Sequence, residues 1–161
     1  MKKLIIFGVG GILLKDNSNP LVDILGLIGK SSKALALQEE YERRKEKGPW
    51  GLAQYAELYQ GENREHLLLT ATEYLSEQLR PDVQKTICVL KERDYLVGAM
   101  SSHPDFVMET LKDILNLDFS EGTNFEYSNG TTTGNLAREL NRNTKCAVLE
   151  EVITHFGVKS V

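Results

Sequence analysis

A short apolar run, Leu4-Ile-Ile-Phe7, empties directly into a glycine-rich turn, Gly8-Val9-Gly10-Gly11. No other feature of the chain constrains its fold as much. An uninterrupted apolar run of this length, bounded by turn residues, reads as a buried strand, here from Lys3 to Val9. A second strand does not follow it. Between Pro20 and Leu79 the pattern is helical throughout. Leu21, Ile24, Leu25 and Ile28 fall at helix spacing before a stop at Gly29. A helix from Ser31 to Lys47 ends in a charge run read as a solvated face with i,i+4 pairs. Gly48-Pro49 breaks it, and helices from Trp50 to Tyr59 and from Arg64 to Leu79 follow.

Beyond Arg80-Pro81 the pattern alternates. Residues 82–93 form an amphipathic helix with Val83, Ile87 and Leu90 on one side, and residues 95–100 a short apolar strand. A helix over 104–115 has Asp105 placed to cap or neutralise its first turn. Residues 124–127 and 131–134 flank Ser128-Asn129-Gly130, a hairpin signal. A last helix over 144–156 carries Val148, Val152 and Ile153 and closes at Gly157. Strands alternating with helices predict an α/β fold, a parallel sheet with helices on its faces.

At 161 residues the chain is one domain with an insertion. Its 19 basic and 23 acidic side chains leave a net charge of −4, which excludes a broadly basic surface and with it nucleic acid as a partner. No apolar run approaches the length of a membrane span, so no membrane partner is expected. The lysines before Leu4 mimic a signal peptide, but glycines cut the apolar run and no small-residue cleavage site follows. Cys88 and Cys146 lie in apolar helical patterns and read as buried free thiols, so the expected compartment is the cytoplasm. Asn129-Gly-Thr131 matches a glycosylation sequon but, without a secretory signal, marks only a turn.

The first strand and its turn resemble the opening of the haloacid dehalogenase superfamily, whose first strand ends in Asp-x-Asp-Gly-Thr; here the pentapeptide is Gly8-Val9-Gly10-Gly11-Ile12. Three further stretches extend the likeness. Leu96-Val-Gly-Ala-Met-Ser-Ser102 looks like the family's second motif, a strand ending in a hydroxyl that binds the substrate phosphate, with Ser101 in that place and Ser102 beside it. Phe125 to Gly134 resembles the family's hairpin ending in Thr-Gly. Lys145, at the head of the last helix, stands where the family keeps a lysine facing the phosphate. Taken alone, Ser101-Ser102 reads as a helix cap; beside the other matches it reads as an inherited phosphate site.

The resemblance implies a Rossmann-like parallel core of the phosphoserine-phosphatase-like branch. A helical cap over 15–79 would be inserted between core segments 1–14 and 80–161, and the last core strands would be missing. It also implies a lost activity. Gly8 replaces the aspartate that attacks phosphorus, and Gly10 the aspartate that serves as acid and base. Magnesium is the family's cofactor, but Gly10 retains only a backbone carbonyl for it. The later Gly-Asp-x-x-x-Asp motif is absent, so no cofactor is expected and no catalytic set is intact.

Other chemistries fit less well. His66, His103 and His155 show no metal-ligand spacing, and His103 reads as a loop histidine unable to share a substrate with Ser101. A dinucleotide turn would require glycine where Leu13 stands. The expectation is therefore a phosphatase homologue without hydrolysis that binds phosphate or a phosphorylated small molecule through Ser101, Ser102, Lys145 and the backbone at Gly10 and Gly11. A protein-interaction module or the remnant of a broken phosphatase gene is the alternative, and an active phosphomonoesterase ranks last. Self-association through the strand from Leu4 to Val9 is expected if its outer edge has no partner.

Overall fold

The computed structural model describes residues 3–44 and 51–158. The expected break at Gly48-Pro49, the helix start at Trp50 and the end of the charge run at Lys47 lie outside them. The elements are β1 (Lys3–Phe7), α1 (Pro20–Leu27), α2 (Ser31–Arg44), α3 (Leu52–Leu58), α4 (Arg64–Gln78), α5 (Val83–Glu92), β2 (Tyr95–Pro104), α6 (Asp105–Leu115), β3 (Phe119–Ser128), β4 (Thr131–Arg138) and α7 (Lys145–Phe156). One sheet has the order β1-β2-β3-β4. β1, β2 and β3 run parallel, and β4 returns antiparallel to β3. The fold is α/β and Rossmann-like, as the alternating pattern predicts.

The local reasons are visible. Pro20 sits at the first position of α1, where a missing N–H costs nothing, and the Asp23 carboxylate accepts the Asn19 N–H at 2.9 Å. The Asn63 side chain caps α4 by accepting the His66 N–H. Asn129 and Gly130, with φ of 50° and 76°, make the β3–β4 turn. Both hairpin strands run longer than expected because cross-strand pairing continues past the alternating stretch, from Ser128↔Thr131 to Asn124↔Arg138.

The sheet is covered on both faces. Ile87 of α5 and Phe106, Leu111 and Leu115 of α6 join Val97 and Ala99 in the main core. α7 lays Val152 against Leu4 and Phe119 on the other face. The main core runs on into α1, α3 and α4, where Tyr59 meets Phe106 at 5.4 Å and Phe125 at 5.5 Å between ring centroids. The chain enters and leaves this helical region side by side. Leu14 bridges Leu79, with Lys15 N–H donating to Gln78 O and Arg80 N–H to Leu13 O, both at 3.0 Å. A second seam ties the α3–α4 connection to the hairpin: Gly61 N–H to Thr132 O at 2.9 Å, Thr132 N–H to Glu62 O at 3.0 Å and Arg64 N–H to Gly130 O at 2.8 Å.

Two expectations are corrected. Cys88 and Cys146 are free but exposed, not buried. Each lies on an amphipathic helix, and Ile87 of α5 and Val148 of α7 take the inward positions instead. The second correction concerns β2, which does not stop at Met100 but continues to Pro104.

Among the described residues β1 pairs with β2 alone, so its outer edge offers unpaired backbone groups. We expect the 161-residue chain to self-associate through this edge as its concentration rises. A concentration-independent monomer in sedimentation, with fast amide exchange across Leu4 to Phe7, would refute pairing there.

Candidate functional site

The turn after β1 shows which glycine the backbone requires. Gly11 has φ +70°, a left-handed conformation that L side chains adopt at a cost, and it is the glycine shared with the Asp-x-Asp-Gly-Thr frame. Gly8 and Gly10 are not in that region. A Cβ at Gly8 would meet only Ile12 Cγ1, at 3.8 Å, and one at Gly10 would meet nothing within 4 Å. The turn thus has room for a side chain at both positions and carries none.

β2 lies beside it, with Phe7 paired to Ala99. Two residues further on, its pairing with β3 slips: Met100 faces Glu121 and Pro104 faces Thr123, leaving Ser101, Ser102 and His103 opposite Gly122 alone. Bulges of this kind re-aim side chains at strand ends. A Cβ on Gly122 would stand 2.7 Å from the His103 carbonyl oxygen, so the bulge depends on that close approach.

The capping and loop readings of this stretch are corrected. Pro104, not a serine, is the N-cap of α6 and no side chain caps it. His103 is part of β2, and its Nδ1 lies 2.6 Å from Ser101 Oγ. Residues i and i+2 of a strand share a face, so the two groups meet where a loop would have let them part. Ser101 is only 9% exposed. Asp105 is the acid in the first turn of α6, as expected; it also accepts the Tyr127 hydroxyl at 2.9 Å, and burial raises its pKa against the lowering effect of that bond.

Lys145 is brought to the same place from the other side of the chain. Asn141 and Thr144 build the loop before α7: Asn141 Oδ1 accepts the N–H groups of Asn143 at 2.8 Å and Thr144 at 3.2 Å, and Thr144 Oγ1 accepts the Asn141 N–H at 2.9 Å. This sets Lys145 as the first residue of α7. A cavity of about 320 Å³ is lined by Ser102, Asn141, Arg142 and Lys145, with Leu21 and Leu52 of the helical region completing its wall. Burial, and next to it the Lys145 ammonium, lower the His103 pKa to about 4, so the ring is neutral at pH 7.

Ser102 and Lys145 therefore share this cavity, whereas Ser101 and His103 pair with each other and are not among its lining residues. Gly10 and Gly11 do not line this cavity, and the Gly11 carbonyl instead accepts Arg80 Nη1 at 3.1 Å. Asn141 and Arg142 escaped the sequence reading. The spacing Asn141-x-x-Thr144 ahead of an apolar helical run is a capping signal that could have drawn attention to that loop.

No protein-family model matches the sequence, and no curated protein matches it significantly. Solved structures do. A phosphoserine phosphatase captured as a phospho-aspartyl intermediate analogue gives a TM-score of 0.73 at 22% identity, over 98% of this chain and 74% of that one. A HAD-family hydrolase from Salmonella enterica serovar Typhi gives 0.78 at 16% identity, over 97% of this chain and 52% of that one. A probable phosphoserine phosphatase from Vibrio cholerae gives 0.73 at 19% identity, over 99% and 48%. The fold is that of the haloacid dehalogenase superfamily, in its phosphoserine-phosphatase-like form.

A magnesium centre of the haloacid dehalogenase kind does not fit the side chains present. Gly8 offers no carboxylate. Asp16 is the acid drawn to the turn, and it faces Arg80 Nη1 at 3.4 Å. Among the described residues no group of three or more His, Cys, Asp or Glu side chains is placed to hold a metal ion. Nor is Ser101–His103 a ready nucleophile and base. A ring with a pKa of about 4, beside an ammonium, is a poor acceptor for a serine proton. What the cavity does offer is positive charge, from Arg142 and Lys145, and the hydroxyl of Ser102. Among the described residues no helix is long and apolar enough to cross a membrane.

Proposed function

We propose that this chain binds the phosphate group of a small phosphorylated molecule, without metal and without hydrolysing it. One observation carries the reading: Ser102, Arg142 and Lys145 line one cavity, while Gly8 and Gly10 leave the turn after β1 without carboxylates. Carboxylates on the neighbouring turn would add negative charge to the field a dianion meets; without them Lys145 and Arg142 share the cavity wall with Asn141, whose amide donates to the Glu139 carboxylate at 3.1 Å. The helices α1–α4, over 15–79, act as the cap in this reading, with Leu21 and Leu52 forming the roof.

Calorimetry with inorganic phosphate is expected to give a dissociation constant of roughly 1 mM, about 4 kcal/mol. The binding should be indifferent to chelator and abolished by Lys145→Met. Phosphoserine and para-nitrophenyl phosphate should not be hydrolysed with Mg²⁺ above a buffer blank, since removing a nucleophile alone costs on the order of 10⁶ in a serine protease. The Gly8→Asp, Gly10→Asp double variant should fold, given the room at both positions, and still not turn over. Chelator-sensitive turnover by the unaltered chain would overturn the reading.

β1 favours a second reading. Its unpaired outer edge suits a chain that works by pairing with another polypeptide, and the sedimentation experiment above separates that role from self-association.

A further inference from the structure

Resting on the anion-site reading above, we propose that the Lys145 cavity takes small phosphomonoesters whose organic part is apolar and uncharged, and rejects those that carry an ammonium group. What decides this is the wall left for the end of the ligand away from the phosphate. The described residues around the cavity are Leu21, Leu52, Ser102, Asn141, Arg142 and Lys145, with no aspartate or glutamate among them. Asn141 is committed to its own loop: Oδ1 accepts the N–H groups of Asn143 and Thr144, and Nδ2 donates to Glu139 at 3.1 Å. Lys145 Nζ and Ser102 Oγ, by contrast, make no ion pair or hydrogen bond with the described residues. An anion therefore finds an unengaged ammonium and an unengaged hydroxyl.

The rest of the wall is apolar. Leu21 is the second residue of α1 and Leu52 the first of α3, so both leucines come from the helical region while the cations come from the loop and head of α7. An ammonium on the ligand would leave water for this wall, near two like charges and with no carboxylate to receive it. A propyl group in the same place carries no such cost. Shielding roughly 60 Å² of its apolar surface from water is worth a factor of about ten in affinity. Size adds a second limit. The cavity, about 320 Å³, lies at the small end of the range for ligand sites, roughly 300–1,000 Å³, which suits a phosphate carrying a short chain or one ring.

Propyl phosphate and phosphoethanolamine make the decisive pair, because they differ only in a terminal methyl against a terminal ammonium. Calorimetric titration of the full chain at pH 8, with chelator present, should give propyl phosphate an affinity about tenfold above that of inorganic phosphate. Phosphoethanolamine should bind no better than inorganic phosphate. Leu21→Asp puts an acid in the first turn of α1, where the helix dipole favours one, and should erase or reverse the preference between the two esters. Lys145→Met should abolish binding of both. The comparison of the two esters on the unaltered chain does not depend on any variant folding. Lys145-dependent binding of both esters with equal affinity, or a preference unmoved in folded Leu21→Asp, would overturn the apolar selection and leave the anion site standing. No binding of inorganic phosphate or of either ester would overturn the anion site itself.

Discussion

Gly98→Ala is expected to destabilise the protein by about 3 kcal/mol, lowering the thermal midpoint by roughly 6–12 °C for a chain of this size. Gly98 lies in the middle of β2, paired to Ile6 of β1 on one side and to Phe119 of β3 on the other. A Cβ there would stand 2.1 Å from the Phe119 ring, far inside van der Waals contact. The ring is not free to retreat. It packs on Phe156 at 5.5 Å between centroids and belongs to a buried cluster with Leu4, Val152 and Val158. Alanine would gain about 0.5–1 kcal/mol over glycine in backbone entropy, too little to offset a displaced aromatic ring. Chemical denaturation checks the value. The double variant Gly98→Ala, Phe119→Leu should recover part of the loss, because the clash is with that ring. An unchanged midpoint in the single variant would show that β2 and β3 separate more easily than the packing implies.

Acid should weaken the fold through His103, by about 3 kcal/mol between pH 6.5 and pH 4. In the unfolded chain the ring takes up a proton near pH 6.5, whereas in the folded chain burial and Lys145 delay uptake to about pH 4. Between those values the unfolded state binds more protons, so stability is present above pH 6.5 and declines as pH falls toward 4. The half-buried carboxyls of Asp105 and Glu121, whose pKa values are raised, work in the opposite direction within the acid range. The raw slope is therefore a mixture. Its difference between the unaltered chain and His103→Asn, from urea midpoints at several pH values, isolates the histidine. Parallel slopes would mean that the ring protonates in the folded state as readily as in water.

The helices were legible in the sequence because each depends on local spacing. α1, α4, α5 and α7 lie where apolar periodicity puts them, and Asn129-Gly130 marks the one tight hairpin. The site was less legible because its geometry is set by partners far along the chain. Ser101-Ser-His-Pro104 has the composition of a cap and a turn. It is strand because β3 runs alongside, and it bulges where Gly122, about twenty residues on, permits close approach. The Ser101–His103 contact follows from that bulged strand and not from the order of the two residues. Cys88 and Cys146 show a related limit. Periodicity says which residues share a face, but Ile87 and Val148, one residue before and two after them, are the positions the packing turned inward.

The seam between the α3–α4 connection and the β3–β4 hairpin has a kinetic consequence. Leu21 and Leu52 roof the Lys145 cavity, and they belong to the same helical region that Gly61, Glu62 and Arg64 fasten to Gly130 and Thr132. Lifting that roof breaks three backbone hydrogen bonds and parts Tyr59 from Phe106 and Phe125, exposing rings worth roughly 2–3 kcal/mol each. An open form costing several kcal/mol is populated below about one molecule in a hundred. Traffic into the cavity then uses its standing mouth, which sets an upper limit on the size of the cargo. A ligand too wide for that mouth must wait for a rare opening, and once inside it leaves on the same slow clock. Residence time, more than equilibrium affinity, becomes the quantity by which a cavity so walled tells one ligand from another.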